Sequence, residues 1–204
     1  MTETPPKSLA RAAGTALGFV SLYVIAYFVG MSFGAERYLF AVGIRPMNVE
    51  GLHGIFFSQF GHANFDHIFI NALQLFAFAT VLLYYGTLKN LLLVSTILSI
   101  GAGLFTWLVA PSNMLVVGAS GLTSGLIVFT VFTAFLHKNY RIAVFASVWF
   151  AIVLVDIIAA INSNGNSAWQ AHIGGLLFGV ILVCIQEISR RRSLENPQLQ
   201  VTQQ

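Results

Sequence analysis

Six runs of about twenty apolar residues dominate this chain, and a helix of that length matches the ~30 Å hydrocarbon thickness of a bilayer. They cover residues 13–33, 67–85, 90–110, 119–136, 142–161 and 171–189. Composition excludes the alternative of six buried helices in a soluble domain. Of the 204 residues, 57% are hydrophobic and 8% charged, against about 25% charged in soluble proteins. The expected fold is therefore all-α, a polytopic membrane bundle of six transmembrane helices in one domain spanning 13–189. Polar tails at 1–12 and 190–204 flank it. The first run is too long for the core of a cleavable signal and reads as an uncleaved anchor. The lone Cys184 excludes an intrachain disulfide.

Four of the connections are short, but residues 34–66 form a long one that still carries apolar pieces at 38–42 and 54–60. Irregular backbone at membrane depth survives where it is buried against protein, so short, partly embedded helices are expected here. Basic residues set the orientation. Lys7, Arg11, Lys89, Lys138, Arg141, Arg190, Arg191 and Arg192 fall on one side of a six-span topology, and only Arg37 and Arg45 on the other. The positive-inside rule then makes both termini cytoplasmic and the long connection exoplasmic. The same scatter of basic residues, without aromatic interleaving, argues against a nucleic-acid partner; the partner this composition requires is the lipid bilayer. In this topology the second, fourth and sixth spans all start at the outer surface, and their first turns share one depth.

Polar residues collect in that layer. The fourth span opens with Gly118, Ala119, Ser120 and Gly121, followed by Ser124 and Gly125. A serine at a helix start offers a hydroxyl beside free first-turn amides; equally, Ser120 is suited to cap the helix while Gly121 and Gly125 form a small-residue packing face. The sixth span opens with Trp169, Gln170, Ala171 and His172, with Gly175 and Gly179 on the histidine's face. An ionisable group inside a span marks function, and imidazole is the base a serine hydroxyl needs near neutral pH; the alternative is a histidine bonded to a neighbouring carbonyl. The second span carries His67 and Asn71 at i, i+4 spacing, preceded by His62. Two side-chain donors aimed at one point would suit an oxyanion, or serve as polar glue between helices.

Together, His62, His67 and Asn71, then Gly118-Ala119-Ser120-Gly121, then Ala171-His172 with Gly175 and Gly179, resemble the rhomboid family of intramembrane serine proteases from about Gly51 to Ser189. The resemblance implies a rhomboid-like bundle with Ser120 as nucleophile and His172 as general base, without an aspartate. It also implies an oxyanion hole from His67, Asn71 and the Ser120 amide. Glycines 118, 121, 125, 175 and 179 would pack near the site, and His62, Ser124 and Trp169 would support it from behind. Neither cofactor nor metal is implied. Substrates would be transmembrane proteins, cut near the outer end of a span at small residues beside helix breakers. Entry would lie between the second and fifth spans, where Trp149 and Phe150 could line a gate. A bacterial plasma membrane is the expected location.

The chain departs from the family pattern in two places. Leu52-His53-Gly54-Ile55 stands where many rhomboids carry a Trp-Arg pair. Ser124 stands where many carry an aromatic that stacks on the catalytic histidine. Asp156 in the fifth span is expected to be structural, paired within the bundle or reaching the interface. Other classes fit less well. No His-Glu-x-x-His pair for zinc and no Gly-x-Gly-Asp for an aspartyl protease occurs. A transporter predicts inverted repeats and helices broken at the midplane, and neither is evident. A rhomboid-fold protein that binds transmembrane clients without cutting them is the closest alternative, although inactive relatives generally lack the serine or the histidine.

Overall fold

Each apolar run becomes one helix, and the pieces of the long connection become two more. The computed structural model describes residues 8–162 and 168–195. Within them the chain forms α1 (Leu9–Ser32), α2 (Ala35–Val42), α3 (Gly54–Phe57), α4 (Phe65–Tyr85), α5 (Leu88–Val109), α6 (Ser120–Leu136), α7 (Tyr140–Asn162) and α8 (Trp169–Glu195). Two 3-10 turns, Val49–Gly51 and Ser58–Phe60, flank α3. Five of these helices are long and apolar enough to cross a membrane; α6 is apolar but shorter, at 17 residues. Helix extends to Leu9 and to Glu195, past the apolar limits at 13 and 189, from the Ser8 cap at one end and through the polar run 190–195 at the other. The remaining parts of the two tails, 1–7 and 196–204, lie outside the described residues.

Side-chain caps mark four helix starts, that of α7 through Asn139, which accepts from the Ile142 amide at 3.5 Å. Ser8 accepts from the Arg11 amide, Asn64 from that of His67, and Thr87 from that of Asn90. Helix α6 has no such cap. Ala119 occupies the capping position and Ser120 is already the first helical residue, so the serine is not an N-cap.

Helix α6 is the axis of the bundle. It packs on α4, α5, α7 and α8, and every residue from Gly121 to Val131 is buried. Its neighbours bury one face each and leave large apolar side chains outside, such as Leu17, Leu22 and Ile25 on α1 and Val148, Val155 and Ile158 on α7. An apolar girdle of that extent is stable against lipid and not against water.

The long first connection is docked, as expected for irregular backbone at this depth. Gly54 lies against the Gly43 carbonyl and Gly103 of α5 against the Ile55 carbonyl, contacts that a side chain would block. The Tyr38 hydroxyl donates to the Phe60 carbonyl (2.9 Å) and the Trp107 indole to that of Asn48 (3.0 Å). His53 Nε2 pairs with the Ala41 carbonyl at 2.7 Å, and Arg45 bonds Glu50 while stacking over Phe40. These contacts anchor the segment in which the sequence lacks the Trp-Arg pair. Behind it, Gln59 accepts from both Tyr23 (3.1 Å) and Ser99 (2.7 Å), tying the connection to α1 and α5.

Candidate active site

The segment leading into α6 is clamped on three sides. Ile44 and Val116 exchange backbone hydrogen bonds of 2.9 and 3.0 Å in an isolated antiparallel bridge. The Gly118 amide then donates to the Ser58 carbonyl (2.9 Å), and the Ala119 amide to His62 Nε2 (3.3 Å). Gly118 turns the chain at φ +123°, a conformation costly for any residue with a Cβ. A Cβ there would also lie 2.6 Å from Cε1 and 2.7 Å from Nε2 of His67. Glycine at 118 therefore serves both the turn and the close approach of that ring. With the Ala119 amide taken by His62, the Ser120 amide is left without a partner among the described residues.

His62 is fully buried, and because its Nε2 accepts a hydrogen bond its proton resides on Nδ1. Burial pushes its pKa down to about 3. The His67 ring, 5.0 Å away between centroids, adds to that effect and the Phe60 carbonyl opposes it. His62 is thus a neutral strut under the serine loop.

The Asn64 cap starts α4 so that His67, Asn71 and Gln74 form one stripe, at i, i+4 and i+7. Asn71 is 1% exposed, and its amide nitrogen has no hydrogen-bond partner among the described residues. A buried donor left open in this way costs about 1–3 kcal/mol. Helix α8 places His172 one turn from its start, and the ring's Nδ1 is likewise buried and unpartnered.

Helices α6 and α8 cross backbone to backbone at the glycines. A Cβ on Gly121 would lie 3.0 Å from the Ala171 carbonyl oxygen, one on Gly125 3.1 Å from that of Gly175, and one on Gly179 2.7 Å from that of Gly125. Gly175 lies against the Gly121 carbonyl itself. The packing alternative proposed for these glycines is therefore real. It coexists with the polar layer, because the same contact sets the register between Ser120 and His172.

The α4 stripe, the serine and the α8 histidine face one cavity of about 440 Å³, while His62 lies outside it. Ser120, His172, His67, Asn71 and Ser124 line it, so the polar layers of the second, fourth and sixth spans do converge. Gln74 and Thr123 line it as well and were not anticipated, although Gln74 lies one turn beyond Asn71 on the same stripe. Thr123 donates to the Ser120 carbonyl (3.1 Å). Asp156 of α7 is also on the cavity wall, with neither a hydrogen bond nor an ion pair among the described residues, so no pairing within the bundle is found for it. Trp169, Trp149 and Phe150 do not line the cavity; they pack against the main apolar core.

A family model described as the Rhomboid domain matches residues 49–187, from the first 3-10 turn into the last helix. The chain belongs to the rhomboid family. Among curated relatives, the uncharacterized protein Rv1337 of Mycobacterium tuberculosis is 29% identical over 189 residues, covering 88% of this chain and 77% of the relative. The Bacillus subtilis protein named "Putative rhomboid protease YdcA" is 30% identical over 132 residues, 64% of this chain and 66% of that one. The chloroplastic rhomboid-like protein 11 of Arabidopsis thaliana is 28% identical over 166 residues, 73% and 59% of the two chains.

The rhomboid match contains every polar residue of the cavity. In this rhomboid Ser124, 1% exposed, forms part of the cavity wall at the position where many rhomboids carry an aromatic. The α6–α8 crossing therefore holds the backbone under His172 without help from a ring at 124.

Proposed function

We propose that this rhomboid is an intramembrane serine endopeptidase that hydrolyses peptide bonds in or near the transmembrane segments of other membrane proteins. One observation carries the reading: a hydroxyl, an imidazole and a buried, unpaired amide donor, from three different helices, face a single cavity. In this reaction Ser120 Oγ attacks the scissile carbonyl while His172 takes its proton. The charge that develops on the carbonyl oxygen is met by the Ser120 amide, His67 and Asn71. His172 returns the proton to the departing amine, leaving an acyl-serine. A water gives its proton to the same imidazole as it attacks the ester, and the proton returns to Ser120 Oγ when the carboxylic acid leaves. No aspartate takes part; the packed crossing of α6 and α8 orients the imidazole in its place.

Substrate selection follows from helix physics. A peptide bond inside a helix is shielded by its own hydrogen bonding, so segments with small or helix-breaking residues near the cut unwind most readily into the cavity. The eight-to-two distribution of basic residues supports cytoplasmic termini, a membrane domain over 13–189 and a cavity open to the exoplasmic side. The bacterial relatives support a bacterial plasma membrane.

The test is cleavage of a rhomboid-susceptible transmembrane substrate by the purified protein in liposomes. Activity in the native protein, abolished in Ser120→Ala and in His172→Ala while both variants still bind substrate, is expected. Cleavage that persists in either variant rejects the dyad, and binding without cleavage by the native protein identifies a client-binding rhomboid instead.

A further inference from the structure

The cavity has a fourth wall that the hydrolytic reaction does not use. On α7, Val153, Asp156 and Ala160 fall at i, i+3 and i+7, one stripe facing the space that Ser120 and His172 face from the other side. The two alanines, 159 and 160, keep that wall shallow. Asp156 is its only ionisable group.

Among the described residues no cation pairs with this carboxylate. The three ion pairs among the described residues join Arg45 to Glu50 and Arg190 and Arg191 to Glu187. On the site's side of the topology the only other cation is Arg37. It is carried by α2, which packs on α1, α3 and the Ser58–Phe60 turn, whereas α7 packs on α6 and α8. A carboxylate at membrane depth is costly unless a partner or a wet cavity offsets the cost, and here only the cavity is present.

We propose that Asp156 is a specificity-determining residue, which receives a lysine or arginine side chain of the substrate lying within a few residues of the scissile bond. The proposal rests on the hydrolytic reading of the same cavity. With the scissile carbonyl held between Ser120 and the donors of α4, substrate side chains on the opposite edge of the strand point to α7. There Val153 and the alanines accept an aliphatic stem and Asp156 the charged end. A glutamate at the same substrate position meets like charge in a confined space and is rejected.

The experiment compares three otherwise identical transmembrane substrates carrying Lys, Gln or Glu next to the cleavage site, assayed with the native protein, Asp156→Asn and Asp156→Lys. The native protein is expected to prefer Lys over Glu. In Asp156→Asn, kcat/KM for the Lys substrate falls about tenfold, the scale of one desolvated charge pair, while the Gln substrate changes less than twofold. Asp156→Lys reverses the order. An equal change for all three substrates, or a native protein indifferent to the charge, overturns the proposal and leaves the protease intact. Substrate affinities measured in Ser120→Ala separate the two readings. Charge-dependent binding that follows residue 156 without any cleavage by the native protein upholds the Asp156 contact and removes the hydrolysis.

Discussion

Replacing Gly175 with alanine tests whether the α6–α8 crossing is what aligns the hydroxyl and the imidazole. A Cβ at 175 would run into the Gly121 carbonyl oxygen and lie 3.0 Å from the Gly125 amide nitrogen, where ordinary contact begins at 3.4 Å. Both obstacles are backbone, so no rotamer change relieves them and the helices must part. The companion site scales the effect. At Gly179 the Cβ would lie 2.7 Å from the Gly125 carbonyl oxygen, about 0.7 Å short of ordinary contact, and Gly175 is tighter. Overpacking of this kind costs about 1–3 kcal/mol of stability, and a displacement approaching 1 Å between reacting groups costs about a hundredfold in rate. Gly125→Ala should be milder, because its nearest obstacle is the movable Leu98 side chain at 2.9 Å. Gly18→Ala on α1, with nothing within 4 Å, is the control. The assay pairs cleavage in liposomes with the unfolding midpoint in detergent. The expected order of damage is Gly175, then Gly179, then Gly125, with Gly18 unchanged. A Gly175→Ala protein as active and stable as Gly18→Ala would refute the alignment argument.

Asn71→Ala should lower kcat about a hundredfold or more with little change in KM, since its open amide meets charge only in the transition state; steady-state kinetics that show a KM effect alone would assign it to substrate binding. For His62 the folded-state pKa of about 3 lies below the ordinary 6.5, so the unfolded chain binds the extra proton first as pH falls. The stability that depends on a neutral His62 is full above pH 6.5 and is lost progressively from there towards pH 3. Unfolding midpoints against pH should show that loss, and His62→Gln should flatten it.

Much of the bundle is legible in the sequence because lipid imposes a simple length rule. The ruler that finds apolar runs locates α6 at 119 and the helix begins at Ser120, yet it places α1 four residues late. The missed residues, Leu9 to Ala12, are the first turn that Ser8 caps, and Arg11 within it keeps that turn out of an apolar window. The polar face of the site is legible through helical periodicity, which puts His67 and Asn71 on one stripe and His172, Gly175 and Gly179 on another. The framework behind the serine is not. Ser58 to Gly118, His62 to Ala119 and Ile44 to Val116 join residues 57 or more positions apart, two of them through backbone atoms that any residue possesses. Gln59 carries no periodic signal, and its value emerges only when Tyr23 and Ser99 arrive from two other helices. Asp156 reads as a structural group from sequence because nothing local reveals that the wall around it belongs to the cavity.

The shortness of α6 ties these features together. Seventeen residues rise about 26 Å, less than the ~30 Å of hydrocarbon, so a helix anchored at one surface begins beneath the other. Backbone entering at that depth must be satisfied by protein, and the Ile44–Val116 bridge, the Ser58 carbonyl and His62 do this for the residues before Ser120. Capping would complete the list, as Ser8, Asn64, Thr87 and Asn139 do for α1, α4, α5 and α7, but α6 starts after Ala119 with no side-chain acceptor. The omission leaves first-turn amides open beside the cavity that Ser120 lines. Those amides are donors with fixed direction, which cost stability in the resting protein and, in the proposed hydrolysis, would return it when negative charge develops on a bound carbonyl. The uncapped start of α6 is thus the one that the proposed hydrolysis would use.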